Sequence, residues 1–258
     1  MKVVTVASDL TNKGFIDFLN PSCNFYGLDA VVLEYDDVFF SNRVKDALLS
    51  SFLEGVSDDE IIFFTDATDA VFVAKEAEIL AKFKAFNSPL VFSAEINCWP
   101  DRDLEKDYPA PSVHFKYLNS GGFIGNAGFI KQLYQKYPIF DASYNPRFFW
   151  SNQYYWNTVY KAEWPKIKLD HYGEIFYNTA ISVTHIDELN RQLADPAEVS
   201  VMFDREKFRL DQEICFSDGR VKSYLTDSLP CHIHFPGTIS KLLMEEGYFD
   251  VLKAPFKQ

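Results

Sequence analysis

The sequence predicts an α/β fold whose first part is a nucleotide-binding half of the doubly wound type. Three observations predict it. Strand-like and helix-like segments alternate through the first ninety residues, as consecutive β-α units of a parallel sheet require. The apolar run Ile61-Ile62-Phe63-Phe64 ends abruptly in Thr65-Asp66-Ala67-Thr68-Asp69, which fits a central strand covered on both faces whose carboxyl end opens to ligand. A second apolar run, Leu90-Val91-Phe92-Ser93-Ala94, ends in Glu95, so two strand ends carry acid toward one edge.

Taken in order, residues 3–7, 30–33 and 61–64 read as strands, and residues 15–25, 44–53 and 74–86 as helices,. After the strand at 90–95, Asn97-Cys98-Trp99-Pro100 reads as a turn. Asn119-Ser120-Gly121-Gly122 then places small residues beside a short apolar strand, a composition that serves a tight turn or lets backbone approach a ligand closely. Residues 131–162 are helical and aromatic, broken by a turn at 141–146, with Ser151-Asn152-Gln153 at a helix start,. Residues 167–170 read as a strand, and Ile175-Phe176 is expected to continue the same sheet. Residues 179–221 suggest surface loops and a hairpin. His232 and His234, two apart on a strand, face one side. With no repeat or low-complexity linker, one domain over residues 1–258 is expected.

Composition excludes several classes. Hydrophobic residues make up 47%, with 25 Phe, 14 Tyr and 4 Trp, enough for a substantial core and against disorder. The net charge of −12 repels nucleic-acid backbones and anionic membranes, so neither is expected as a partner. The start has too short an apolar run for a signal peptide, and no stretch reaches eighteen apolar residues, so a soluble, cytoplasmic chain is expected. Four well-separated cysteines without a CxxC pair indicate free thiols rather than zinc or a disulfide framework,. GxGxxG and GxxxxGK[ST] are both absent, which argues against dehydrogenase and kinase readings.

Asp66 and Asp69 carry the chemistry. Carboxylates suit Mg²⁺ or Mn²⁺, which bind through one or two such groups together with substrate phosphates. The alternative is that Thr65, Asp66 and Asp69 only cap the following helix.

Five stretches then occur in one order: FFTDATDAV at 63–71, VFSAE with Trp99-Pro100, YLNSGGFIG at 117–125, LDH at 169–171 with EIFYN at 174–178, and His234-Phe235-Pro236-Gly237. Together they resemble the N-terminal glycosyltransferase domain of the procollagen lysyl hydroxylase/collagen glycosyltransferases, over nearly the whole chain to Lys241. The resemblance implies a GT-A type fold with a mixed, mostly parallel sheet flanked by helices, binding a UDP-sugar and Mn²⁺. It implies Asp66, Asp69 and His234 as metal ligands. It implies Ser8, Arg43, Thr68, Trp99, Asn119, Ser120, Gly121, Gly122, Gly237 and Lys241 around the donor.

Two positions depart from the family. Thr68 stands where the family places an aromatic against uracil. Residues 148–155 contain no acid where the family carries aspartates, so Asn152 and Gln153 occupy that catalytic region together with Glu95. The implied activity is transfer of a hexose or hexuronic acid from a UDP-sugar to a hydroxyl, with (galactosyl-)hydroxylysine of a collagen-like polypeptide as the candidate acceptor. The alternative is a UDP-sugar-binding module that serves as a partner or scaffold.

Overall fold

The computed structural model describes residues 1–37, 40–109, 112–183 and 185–257. Its strands are β1 (Lys2–Ala7), β2 (Asp29–Glu34), β3 (Ile61–Thr65), β4 (Ala70–Phe72), β5 (Leu90–Glu95), β6 (Tyr117–Asn126), β7 (Ile167–Asp170), β8 (Phe176–Asn178), β9 (Ile214–Ser217), β10 (Arg220–Ser223) and β11 (His232–His234). Its α-helices are α1 (Asn20–Tyr26), α2 (Val44–Leu53), α3 (Glu76–Phe86), α4 (Ala127–Lys136), α5 (Asn152–Glu163), α6 (Ile186–Leu193), α7 (Pro196–Glu213) and α8 (Gly237–Glu245). A short π-helix, Phe15–Leu19, leads into α1.

Six strands form the central sheet in the order β2-β1-β3-β6-β5-β7. β6 runs antiparallel to β3 and β5, and the remaining pairings are parallel, so the sheet is mixed and mostly parallel, with helices flanking it. Alternation along each strand sorts side chains to two cores. Val4, Val6, Ile62 and Phe64 point to one core and Val3 and Phe63 to the other. Because both faces are covered, these strands read as unbroken apolar runs.

A second sheet, β4-β11-β8, packs across the first. Phe72, Phe176 and His232 meet Phe63 with ring centroids 4.9–5.2 Å apart. Phe176 therefore does not continue the central sheet. With only three residues, β8 pairs in parallel with β11, because the Asp170 carboxylate accepts from the backbone N–H of Glu174, Ile175 and Phe176 and turns the chain out of β7.

Residues 179–221 hold the expected hairpin, β9 with β10. They also hold α6 and the 18-residue α7, where loops were expected. No helix among the described residues is long and apolar enough to cross a membrane.

Candidate functional site

The acids Asp66 and Asp69 sit on the turn between β3 and β4. Backbone bonds fix that turn: Asp66 N–H donates to the Gly121 carbonyl on β6, and Phe235 N–H donates to the Asp69 carbonyl. α3 begins at Glu76 after Lys75, with no side-chain cap, so these acids do not cap it. β11 pairs with β4 through His234 opposite Ala70, which brings the imidazole over the acid turn.

His234 Nε2 lies 3.7 Å from an Asp66 oxygen and 3.6 Å from an Asp69 oxygen. One ligand atom from each of the three residues lies within 4.8 Å of the others. Gly121 makes this approach possible, since a Cβ there would meet His234 Cε1 at 2.1 Å,. His234 Nε2 is buried and has no hydrogen-bond partner among the described residues. A buried acceptor facing two carboxylates is costly unless a cation joins them, and two oxygen donors with one imidazole suit Mn²⁺ or Mg²⁺. The residues fit a divalent ion.

His232 has another fate. Its ring packs among Phe63, Phe72 and Phe176 and its Nε2 bonds Thr65 Oγ1 at 2.8 Å. Burial pushes its pKa well below the ordinary imidazole value, so it is a neutral core residue,.

The triad opens into a cavity of about 570 Å³. Two lysines flank the acids: Lys45 Nζ is 2.5 Å from Asp66 Oδ1, and Lys241 Nζ is 3.1 Å from Asp69 Oδ2. The start of α8, at Pro236, Gly237 and Thr238, lines the same cavity, and helix N-termini favour anions.

Farther along lies Glu95, 4% exposed. Its Oε1 accepts from Asn119 at 3.0 Å and Gln153 at 2.6 Å, and its Oε2 accepts from Asn97 at 3.1 Å. Burial raises its pKa above the ordinary carboxylate value, against these three bonds that favour the charged form. Ile186, Leu189 and Leu193, one face of the amphipathic α6, form an apolar wall with Trp99, Trp150 and Ile181.

The structure brings Asp66, Asp69, His234, Glu95, Trp99, Asn119, Ser120, Gly121, Asn152, Gln153, Gly237 and Lys241 to this one cavity. Ser8, Arg43, Thr68 and Gly122 do not line it. Ser8 is exposed beyond β1, and the Thr68 carbonyl packs against Gly14. Gly122 faces Phe176 and His232. Arg43 is fully buried, stacked on Tyr144 and Phe149 and donating to the Ser151 and Ile139 carbonyls. The place expected for it around the donor is therefore not where it lies, and Lys45, two residues on, is the cation beside Asp66.

Sequence reasoning missed Lys45, Asn97 and the α6 wall. The lysine at the start of a helix following β2, and the asparagine two residues after Glu95, were the available signals.

Comparisons with known proteins give the family of the chain. Residues 1–225 match the family described as PLOD GT domain. The chain is 34% identical over 188 residues to procollagen-lysine,2-oxoglutarate 5-dioxygenase 2 of Mus musculus, covering 67% of this chain and 24% of that protein. It is 30% identical over 249 residues to the multifunctional procollagen lysine hydroxylase and glycosyltransferase LH3 of Homo sapiens, covering 91% of this chain and 29% of that protein. The chain thus spans between a fifth and a third of the length of such relatives. Among solved structures, a glycosyltransferase involved in glycosylation of the major capsid of PBCV-1 aligns over 95% of this chain and 98% of that one, at TM-score 0.45 and 8% identity, a likeness too slight to carry an argument. The match over residues 1–225 and the relatives at 30% identity or more place the chain in the PLOD GT domain family of glycosyltransferase domains.

Proposed function

We propose that residues 1–258 act as one GT-A-like unit, a divalent-metal-dependent glycosyltransferase that moves a hexose or hexuronic acid from a UDP-sugar to a hydroxyl. The observation that carries this reading is the partnerless His234 Nε2 facing Asp66 and Asp69 at the edge of a cavity of ligand size,. Asp66, Asp69 and His234 would hold Mn²⁺ or Mg²⁺. Such an ion supplies neutralisation of the charge that builds on a diphosphate leaving group. Lys45, Lys241 and the start of α8 supply positive potential for the same phosphates. Trp99, Asn119, Ser120, Gly121, Asn152 and Gln153 surround the space left for the sugar. The names of the relatives, which join procollagen, lysine hydroxylase and glycosyltransferase, support a collagen-like polypeptide as acceptor, with hydroxylysine as the reacting residue.

Calorimetric titration of UDP, with and without Mn²⁺, tests the metal site. The wild type binds UDP more tightly with Mn²⁺, and Asp66→Ala, Asp69→Ala and His234→Ala each abolish that gain. The loss should exceed the roughly 10–100-fold that removing an outer-shell partner costs. UDP affinity unchanged from wild type in all three variants, so that each keeps the full Mn²⁺ gain, overturns the site.

One observation favours the second reading, a UDP-sugar-binding module. Among the described residues, the carboxylates lining the cavity are Asp66, Asp69 and Glu95, and the last is engaged by three amides. Hydrolysis of a UDP-sugar with Mn²⁺ and no acceptor discriminates between them: donor turnover supports the enzyme, and binding without turnover supports the module.

A further inference from the structure

Glu95 makes no contact with the metal triad, yet the hydrogen bonds around it converge on that triad and on the cavity wall. An ionised carboxylate can only accept, and a side-chain amide has one donor end and one acceptor end. Three amide NH₂ groups, from Asn97, Asn119 and Gln153, meet at the Glu95 oxygens. Each amide oxygen is thereby turned the opposite way. Asn119 Oδ1 accepts from Gly121 N–H at 3.0 Å and lies 3.0 Å from His234 Nδ1. Gln153 Oε1 accepts from Ser120 N–H at 3.3 Å, and Asn97 Oδ1 accepts from Val183 N–H at 2.9 Å.

Two amides reach His234 Nδ1, the Asn119 oxygen at 3.0 Å and the Asn178 nitrogen at 3.5 Å, and the closer contact, to oxygen, favours the proton on Nδ1. The Nε2 lone pair is then left toward Asp66 and Asp69, as a metal ligand requires. We propose that Glu95 is a positioning carboxylate: through Asn119 it fixes the tautomer and ring orientation of His234, and through Gln153 and Asn97 it holds the donor-facing backbone of β6 and the segment leading to α6. This role deepens the metal-site reading above and rests on it.

Glutamine at position 95 cannot replace the hub. It offers one oxygen and one NH₂, so at least one of the three amides meets donor against donor and must turn over. Asn119→Asp fails for the opposite reason, because it sets a carboxylate oxygen against Glu95. Combined, Glu95→Gln and Asn119→Asp restore a donor-acceptor pair on the path to His234 while keeping an acceptor for Nδ1–H.

The test is a double-mutant cycle read by Mn²⁺ affinity of the metal-free protein, followed by electron paramagnetic resonance of the free ion, without nucleotide or turnover. Thermal unfolding confirms that each variant is folded. Asn119→Asp weakens Mn²⁺ binding by roughly 10–100-fold, the range for a partner one shell out from the metal, whereas Glu95→Gln, whose oxygen can stay at the Oε1 position and accept from Asn119 and Gln153, loses less. The double variant binds at least tenfold more tightly than the two single losses combined would give, and Asp69→Ala serves as the control for loss of a ligand. If Asp69→Ala loses Mn²⁺ while Asn119→Asp stays within twofold of wild type, or if adding Glu95→Gln to Asn119→Asp restores nothing, the relay is wrong and the metal site stands. If the wild type takes up no Mn²⁺, the metal-site reading fails and the relay falls with it.

Discussion

The two ends of the cavity hold buried carboxylates by opposite means. At one end Asp66 and Asp69 are neutralised by the ammonium groups of Lys45 and Lys241 and face a histidine nitrogen with no partner. At the other, Glu95 is surrounded by three neutral amides whose own oxygens are all engaged. Lysines on long flexible stems are exchangeable counter-ions, and Lys241 is 40% exposed,. Amides committed at both ends are not exchangeable. The first end is built to trade partners when an ion and a phosphate arrive, and the second is built to stay as it is.

The largest effect tests how far neutral donors can hold a buried acid. Asp46, at the start of α2, resembles Glu95 in having neutral donors: its Oδ1 accepts from Trp156 Nε1 at 2.7 Å and Tyr134 OH at 3.1 Å. It differs in that its Oδ2 is buried with no partner among the described residues. Burial accordingly pushes its pKa from 3.8 up to about 7, against those bonds and the charges of Lys45 and Arg43. The folded state keeps a proton that the unfolded chain releases. Its contribution is therefore full below about pH 4 and is lost as pH rises through about 7. Replacing Asp46 with Asn mimics the protonated form at every pH. The stability of Asp46→Asn relative to wild type should rise from pH 4 to pH 8 by an amount on the order of a few kcal/mol, measured by denaturant unfolding. A difference that is flat with pH would show that the hydrogen bonds and charges around Asp46 cancel the cost of its burial.

The lysine end gives the next effect, with opposite signs in two measurements. Lys45→Met or Lys241→Met removes a competitor for the acids, so Mn²⁺ affinity without nucleotide should rise about tenfold, or about 1.4 kcal/mol. The same change removes a phosphate cation, so UDP affinity at saturating Mn²⁺ should fall by a similar factor. Loss of affinity in both measurements would make the lysines fixed supports, like the amides around Glu95.

Much of this arrangement was legible in the sequence, for physical reasons that also explain the misses. β3 and β5 stood out because burial on both sheet faces makes strands apolar throughout,. β4 is three residues long and belongs to a sheet whose other strands lie more than a hundred residues away, so no local pattern marked it. α7 was hidden because its buried stripe is Met202, Glu206, Leu210 and Glu213, half of it acid paired with Arg209, and apolar periodicity cannot report a charged stripe. In the site, the acids were legible as chemistry at a strand end, whereas only the resemblance singled out His234 from His232. The choice between Arg43 and Lys45 was not legible. They lie two residues apart at one helix start, and only tertiary packing puts Arg43 into an aromatic box and Lys45 beside Asp66.

The smallest effect concerns the neutral side of the cavity. Ser151 and Asn152 line it at positions where the resemblance leads to an expectation of acid. The Ser151 hydroxyl is the N-cap of α5, accepting from Tyr154 N–H at 3.1 Å. Aspartate caps a helix as well as serine does, so Ser151→Asp adds charge without undoing the helix start. With Asp66, Asp69 and Glu95 already present, two further carboxylates would oppose a donor that carries a 6-carboxylate, whereas serine and asparagine offer neutral hydrogen bonds. The wild type is therefore expected to bind UDP-glucuronate at least as well as UDP-glucose or UDP-galactose. Ser151→Asp with Asn152→Asp should shift preference toward the neutral sugars by a factor of a few. Competition binding of the three donors to both proteins decides it. Rejection of UDP-glucuronate by a wild type that binds UDP-glucose, or an unchanged ranking in the double variant, would mean that charge on this wall does not select the donor.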